Sequence, residues 1–452
     1  MRMLRIATGL TLVLLATLVV VPSALAPPTP PGGGLWSLRS SQAGDDEGRA
    51  VTVNPGGDFV IATDQATDTA DSMLKWFTMT PAGGGGGLSG AYGEGDGLPQ
   101  RTNALALDSG GAAFVAGSTI GSLAGADYLL LRFTAGGSFS GAKAYDGPSH
   151  RDDSALAVAT DATGASYVTG SSQSKRTTGD EDIVTIKYDG AGLKSWTKRF
   201  DGAAHGLDRP AAIAVRSGYV YVAGRSRRTG HGDDLIVIKY NATSGAMVWT
   251  AYFDGAQHGN ERVADLAVTS SGIYVGGSGR STATSTTDAL VVKFSFSGAR
   301  QWSRYAGSVA GRDLWNDLEW SGTTLRAAGA IYRTATGSDA MTAAYRPDGT
   351  LAWRRTFTSQ GLYDDIAVAL TTEASGAVYV ACTCENATDT DIRALAYDVD
   401  GATVWASLPF GYFGGEDDIA VDIAVSGTTV AVVGTSHTPI QGDDYLVLGY
   451  QK

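Results

Sequence analysis

Cysteine is nearly absent from this chain: two residues in 452, Cys382 and Cys384. No disulfide framework can hold such a fold, so repetition and burial must stabilise it. Basic residues are also in deficit, with 34 Lys and Arg against 46 Asp and Glu, a formal net charge of −12 and a pI near 4.9. A surface that tracks phosphates needs clustered Lys and Arg. The longest basic runs, Ser174-Lys175-Arg176 and Arg225-Ser226-Arg227-Arg228, are short and read as solvated loops. A nucleic-acid partner is therefore not expected. Proline, at 13 residues, is unremarkable, whereas the 61 glycines are about twice ordinary usage. Glycine in excess, alongside many Val, Thr and Tyr, fits short strands joined by tight turns.

The N-terminus has the layout of an export signal. Arg2 and Arg5 precede an apolar run from Ile6 to Val21, and Ala24-Leu25-Ala26 supplies a small-residue cleavage site. Pro27 would then occupy the first mature position, where the protease accepts proline poorly. Residues 1–26 are thus read as a cleaved signal peptide or, uncleaved, as a membrane anchor of about minimum spanning length. No cysteine is present there for lipidation. Residues 27–34 form a Pro/Gly-rich spacer. The expected location is extracytoplasmic, either secreted or anchored to the envelope.

The rest of the chain, residues 35–452, repeats. The segment Asp182-Ile-Val-Thr-Ile-Lys-Tyr188 returns as Asp234-Leu-Ile-Val-Ile-Lys-Tyr240 and as Asp288-Ala-Leu-Val-Val-Lys-Phe294. More distant copies begin at Asp71, Asp127, Asp339, Asp391 and Asp444, making eight with a period of about 53 residues. Each is preceded by two apolar strands. After each comes a Gly-containing turn and a further strand marked by Trp196, Trp249, Trp302, Trp353 or Trp405, with Leu88 and Phe139 as substitutes. This gives four strands per period, A to D, with short A–B and C–D hairpin turns. The last period stops after its strand C at Lys452, while Leu35-Trp36-Ser-Leu38 is an orphan strand D. Joined, they complete an all-β, eight-bladed β-propeller of four-stranded antiparallel blades, the last closed by the N-terminal strand, which leaves only the short, protected sheet edges of a propeller. A seven-bladed ring is the alternative, but it would leave a full blade over.

Asp182 to Trp196, with the strand Gly164 to Gly170, resembles the bacterial SBBP-type β-propeller repeat. The resemblance covers nearly all of residues 35–452, strongly in the middle periods and weakly in the first two and the sixth. It implies an extracytoplasmic propeller and no particular activity, since the fold itself fixes no function.

Candidate chemistry is weighed against structural roles. An Asp at every strand C start is expected to accept hydrogen bonds from loop amides and so to serve the blade; the alternative is a cation-binding ring. The tryptophans are read as core. His150, His205 and His258 recur in D–A connections and are expected to pack loops, because equivalent positions on successive blades lie too far apart to share a metal. His231, beside Asp233 and Asp234, belongs to no repeated pattern. For Cys382 and Cys384 a disulfide, free thiols, and a metal or redox role remain open. Asp398-Val-Asp400-Gly401 opens like a calcium loop but lacks the closing ligands, so calcium is no more than compatible and a β-turn is the simpler reading.

Asn241 to Trp249 is similar to the tryptophan-docking motif of eight-bladed quinoproteins, but the adjacent cysteines and an assignable calcium set are missing. A sialidase-like reading fails on box spacing and on the missing arginine triad. No nucleophile elbow occurs. The sequence therefore favours a monomeric binding or scaffold module for a protein or glycan partner over an extracytoplasmic oxidoreductase or glycan hydrolase. Because B–C and D–A loops emerge on one face, that face is the expected binding surface. It carries Asp152, Asp153, His205, His231, Asp233, His258, Asp364, Asp417 and Asp443.

Overall fold

A computed structural model describes residues 32–39, 45–66, 72–83, 87–92, 100–121, 125–173, 180–281, 286–308, 311–359, 361, 363–411, 416–438 and 442–452. The N-terminal signal segment, the basic run at 174–176 and Asp71 lie outside these residues. Eight four-stranded antiparallel sheets are present, and no described helix is long and apolar enough to cross a membrane.

Each sheet is one blade, its strands in the order A to D. The A strands are Asp46–Val53, Gln100–Leu107, Asp153–Thr160, Asp208–Arg216, Arg262–Val268, Leu314–Ser321, Asp365–Thr372 and Asp418–Ser426. Each A strand touches the A strand of the next blade, and the eighth touches the first, so A strands line the axis of a closed ring. A β-bulge interrupts the A–B pairing in every blade, as between Val263 and Asp265. Such bulges raise the local twist of a strand. Strands B and C lie between two neighbouring blades, which explains their continuous apolar runs. In blade 5, every residue of Ile273–Gly279 and of Asp288–Phe294 is buried.

Blade 8 combines both chain ends: A Asp418–Ser426, B Thr429–Thr438, C Gly442–Gln451 and D Gly34–Arg39. The N-terminal strand closes the ring, as the unfinished last repeat predicts. Trp36 (6 % exposed) and Leu38 (1 %) enter a cluster with Phe59, Ile61, Phe77 and Met79 of blade 1 and Ala431, Val433 and Val447 of blade 8. Arg39 pairs with Asp444. Gly449 stands opposite Trp36, and a Cβ there would lie 2.3 Å from the indole.

The strand D tryptophans also have a role that the sequence did not show. Five of them donate the indole N–H to a carbonyl in the C–D turn of the next blade: Trp36 to Pro81, Trp196 to Ala242, Trp249 to Phe296, Trp302 to Pro347 and Trp353 to Val399. The ring of each lies against a positive-φ glycine of that turn. A Cβ on Gly83, Gly245, Gly349 or Gly401 would approach the facing indole to 2.8 Å or less. Trp405 meets Gly32 in the same way, so the N-terminal residues also supply the missing C–D turn of blade 8. The repeated strand C lysines reach the same turns: Lys187 donates to Ala242, Lys239 to Phe296 and Lys293 to Pro347. Blade 6 has Ala344 at this position. There Arg326, 2 % exposed, donates from strand B to the Val399 carbonyl (3.2 Å) and lies 5.1 Å over the Trp353 ring.

Candidate functional site

Strands A and C both start on the face that carries the D–A and B–C loops. A strands open with Asp46, Gln100, Asp153, Asp208, Asp365 and Asp418, and Glu261 and Asp313 immediately precede the other two. None of the eight is more than 5 % exposed. Four of them hold their D–A loops by backbone amides. Gly147 N–H donates to Asp153 (2.5 Å), Gly202 to Asp208 (2.5 Å), Ser308 to Asp313 (2.6 Å) and Ser359 to Asp365 (2.5 Å). This is the role expected of the strand C aspartates, which instead pair with side chains. Arg199 donates to Asp182 (2.7 Å), Arg228 to Asp234 (2.7 Å), Asn386 to Asp391 (2.9 Å), Arg333 pairs with Asp339 (2.9 Å), and Ser281 meets Asp288. The reason is positional: the loop leading into strand A folds back over its own first residue, whereas strand C starts beside the arginine-bearing ends of strands B and D.

In blades 3, 5, 7 and 8 the residue before the strand A acid caps the strand C start of the preceding blade. Asp152 accepts from Ala126 N–H (3.0 Å), Asp364 from Ser338 (2.7 Å), Asp417 from Thr390 (3.0 Å) and Asn260 from Asp233 (3.0 Å). Asp233 is 3 % exposed and pairs with Arg225 and Arg227, and Asp443 meets His437 (2.6 Å). The acidic pairs thus have backbone and ion-pair duties in addition to any field they create. B–C connections vary in length, from 229–231 to 280–287, so variability more than length marks this face.

Three D–A loops share the pattern Asp-Gly-x-x-His. His150, His205 and His258 adopt positive φ of 52°, 49° and 50°. Their Nδ1 atoms lie 2.5, 2.8 and 2.6 Å from Asp146, Asp201 and Asp254. The third loop alone receives a second imidazole. His231 sits between Gly230 and Gly232, both at positive φ, and a Cβ on Gly232 would press to 2.7 Å from Asn260. That close approach brings His231 Nδ1 within 2.6 Å of Asp254 Oδ2 and 3.1 Å of His258 Nδ1. Sequence reasoning treated the histidines as separate because it compared equivalent positions. The pair comes from a B–C turn and a D–A loop of one blade. Behind them, Asp234, Asp254 and Glu261 bring carboxylate oxygens within 4.8 Å of one another. Burial first, then Asp234, Asp254 and Asp233, pushes Glu261 up to about 8.

The axial wall holds a second acidic group that the sequence did not reveal. Asp265, Asp317 and Asp422 follow the strand A bulge, where most blades have Ala. Asp317 accepts from Leu370 N–H (2.7 Å) and Asp422 from Val51 N–H (2.8 Å), each in the next blade. Glu319 accepts from Thr372 (2.9 Å). Asp265 and Asp317 share a hydrogen bond, and burial raises both. Burial also pushes Glu319 up to about 7 and Asp422 up to about 6. Acids with raised native pKa bind more protons folded than unfolded, so their contribution falls as pH rises from the unfolded to the folded value. Melting temperature is therefore expected to decrease from about pH 5 to about pH 8, and Glu319→Gln to flatten that slope. A melting temperature that climbs over this interval would contradict the assignment.

Cys382 and Cys384, two apart on one strand, point to the same side; both are buried, their Sγ atoms are 2.7 Å apart, and they carry no disulfide bond. Burial pushes the Cys384 thiol up. Asp398 turns its carboxylate onto its own loop, accepting from Asp400 and Ala402 N–H (3.0 and 2.7 Å), the arrangement of a capped β-turn.

These features define a closed eight-bladed β-propeller with a structurally buttressed, acidic loop face. No family model and no curated protein matches the chain. Among solved structures it is similar to Sqt1 from Chaetomium thermophilum, at 12 % identity and TM-score 0.54, over 92 % of this chain and 100 % of that one. It is also similar to the WD40 domain of SCAP from fission yeast, at 9 % identity and TM-score 0.50, over 97 % of each chain. At such identity the likeness concerns the fold alone.

Proposed function

We propose that the protein is an exported, SBBP-type propeller that binds a protein or glycan partner at the cell surface through its D–A and B–C loop face. One observation carries this reading: the blades differ from one another chiefly on that face. There the B–C loops vary and the unrepeated His231–Asp254–His258 group stands. On the opposite face the C–D turns are occupied in a repeated way by indole and lysine donors from the preceding blade. Loops on a rigid scaffold are where recognition commonly sits. A second reading has its own support. Leu193, Met247, Val248, Leu351 and Val404, at the strand D starts beside the C–D turns, are 47–65 % exposed and form a recurring apolar rim.

Glycan-array and cell-envelope binding of the purified protein separates the two. Charge reversal at Asp152, Asp364 and Asp417 is expected to abolish binding, whereas Leu193→Ser, Met247→Ser and Val404→Ser leave it unchanged, with melting curves confirming folded variants. Loss from the apolar-rim set only would move the binding surface to the other face.

A further inference from the structure

We infer that His231, Asp254 and His258 form a binding site for a divalent transition metal of the zinc class. The three donor atoms make a closed triangle, with Nδ1–Oδ2 distances of 2.6 Å on both sides and 3.1 Å between the two Nδ1 atoms. Zinc–nitrogen bonds of about 2.0–2.1 Å at tetrahedral angles place neighbouring donors roughly 3.3 Å apart, so a small outward movement admits the ion. Without a metal the arrangement is crowded, because two N–H groups aimed at one oxygen would stand farther apart than these nitrogens do. Two imidazoles and a carboxylate suit zinc, copper or nickel better than calcium, which takes oxygen ligands.

Charge and burial behind the triangle point the same way. Asp234 is matched by Arg228, and Asp233 by Arg225 and Arg227. Asp254 and Glu261 have no Lys or Arg partner among the described residues. Glu261 is 1 % exposed and neither of its oxygens meets a donor at hydrogen-bond geometry, the Gly255 amide facing it only loosely. The buried Asp234 Oδ1 and the Asp254 Oδ1 are likewise unpartnered. A cation held by Asp254 would offset the charge of its carboxylate, which no Lys or Arg meets among the described residues. His258 is 59 % exposed and His231 35 %, so the remaining coordination position opens to solvent, where water or a group from a partner could enter. The molecule contains its own control. His205 and Asp201 repeat the His–Asp contact in a loop with no second histidine.

The test is titration of the purified full-length chain, stripped by chelator, with Zn2+ and with Co2+ as a spectroscopic probe. The expected result is one tight equivalent with tetrahedral Co2+ absorption. His231→Ala and His258→Ala should each weaken binding by more than the roughly 10–100-fold that loss of an outer-shell partner costs, and His205→Ala should leave it unchanged. Zn2+ should also raise the melting temperature of the wild type and of His205→Ala, but not that of His231→Ala. Failure of Zn2+ to raise wild-type melting overturns the inference whatever the variants do, as does equal weakening by His205→Ala.

Discussion

A chain lacking residues 27–40 is expected to melt far below the intact protein, although it loses only a spacer and one outer strand. Removing Trp36 alone takes away an indole that is 6 % exposed, at about 3–5 kcal/mol, and loss of Leu38, 1 % exposed, adds a cost of about 2–5 kcal/mol. Phe59, Phe77 and Met79 of blade 1 then lose part of their cover. The strand Gly442–Gln451 becomes an open edge, with unpaired backbone groups that invite association. Loss of Gly32 would also uncover Trp405 in blade 7, so the damage would spread to both neighbours of the seam. Thermal melting and limited proteolysis read the effect, with Trp36→Ala as the smaller step. An unchanged melting curve for the truncated chain would remove the N-terminal strand from the structural account.

Trp353→Ala is expected to cost about 3–5 kcal/mol by denaturant unfolding, comparable with loss of a large core side chain despite its place on an outer strand. Its indole is 7 % exposed and packs beneath Gly401, and its N–H is the bond to Val399 at 3.0 Å. Removing it uncouples blades 6 and 7 and exposes the stem of Arg326, whose guanidinium shares that carbonyl. A more specific check follows from the same contact. Arg326→Ala should destabilise by about 1–3 kcal/mol, because the Gly376 carbonyl loses the guanidinium and the Val399 carbonyl keeps only the Trp353 donor. Adding Ala344→Lys should restore much of the loss, since that position holds the turn-binding lysine in blades 3 to 5. No rescue would show that Arg326 acts through packing and not through the turn.

Repetition made the blades legible. The recurrence of Asp182–Tyr188 at a fixed period, and the unfinished repeat at Tyr450 beside the orphan strand around Trp36, together implied eight blades and a shared last one. Burial on both faces leaves continuous apolar strands B and C, a signal that survives in linear sequence. The tryptophans were equally visible as core, but their staple to the next blade was not, because a bond between residues about 45 apart depends on how blades stack. Nor did period or spacing reveal which acid holds which loop. The strand C aspartates and the strand A acids recur alike, and only the course of the D–A loop decides that Asp208 binds Gly202 while Asp182 binds Arg199.

The same division applies to the candidate site. Chain order alone puts histidines and acids on the loop face, since strand reversal at each hairpin sends B–C and D–A connections to one side. It could not determine that His231 and His258 meet, because they lie 27 residues apart on different connections. That meeting depends on two glycines at positive φ letting a short turn press against Asn260. The axial acids Asp265, Asp317 and Asp422 are alike in this respect. Each is a single departure from Ala at a bulge, and only closure of the ring brings strand A bulges of successive blades together and buries their carboxylates. Architecture was in the sequence because every blade repeats the same local rules. The sites were not, because each is built from the residues in which one blade differs from the others, and packing alone decides which of those differences touch.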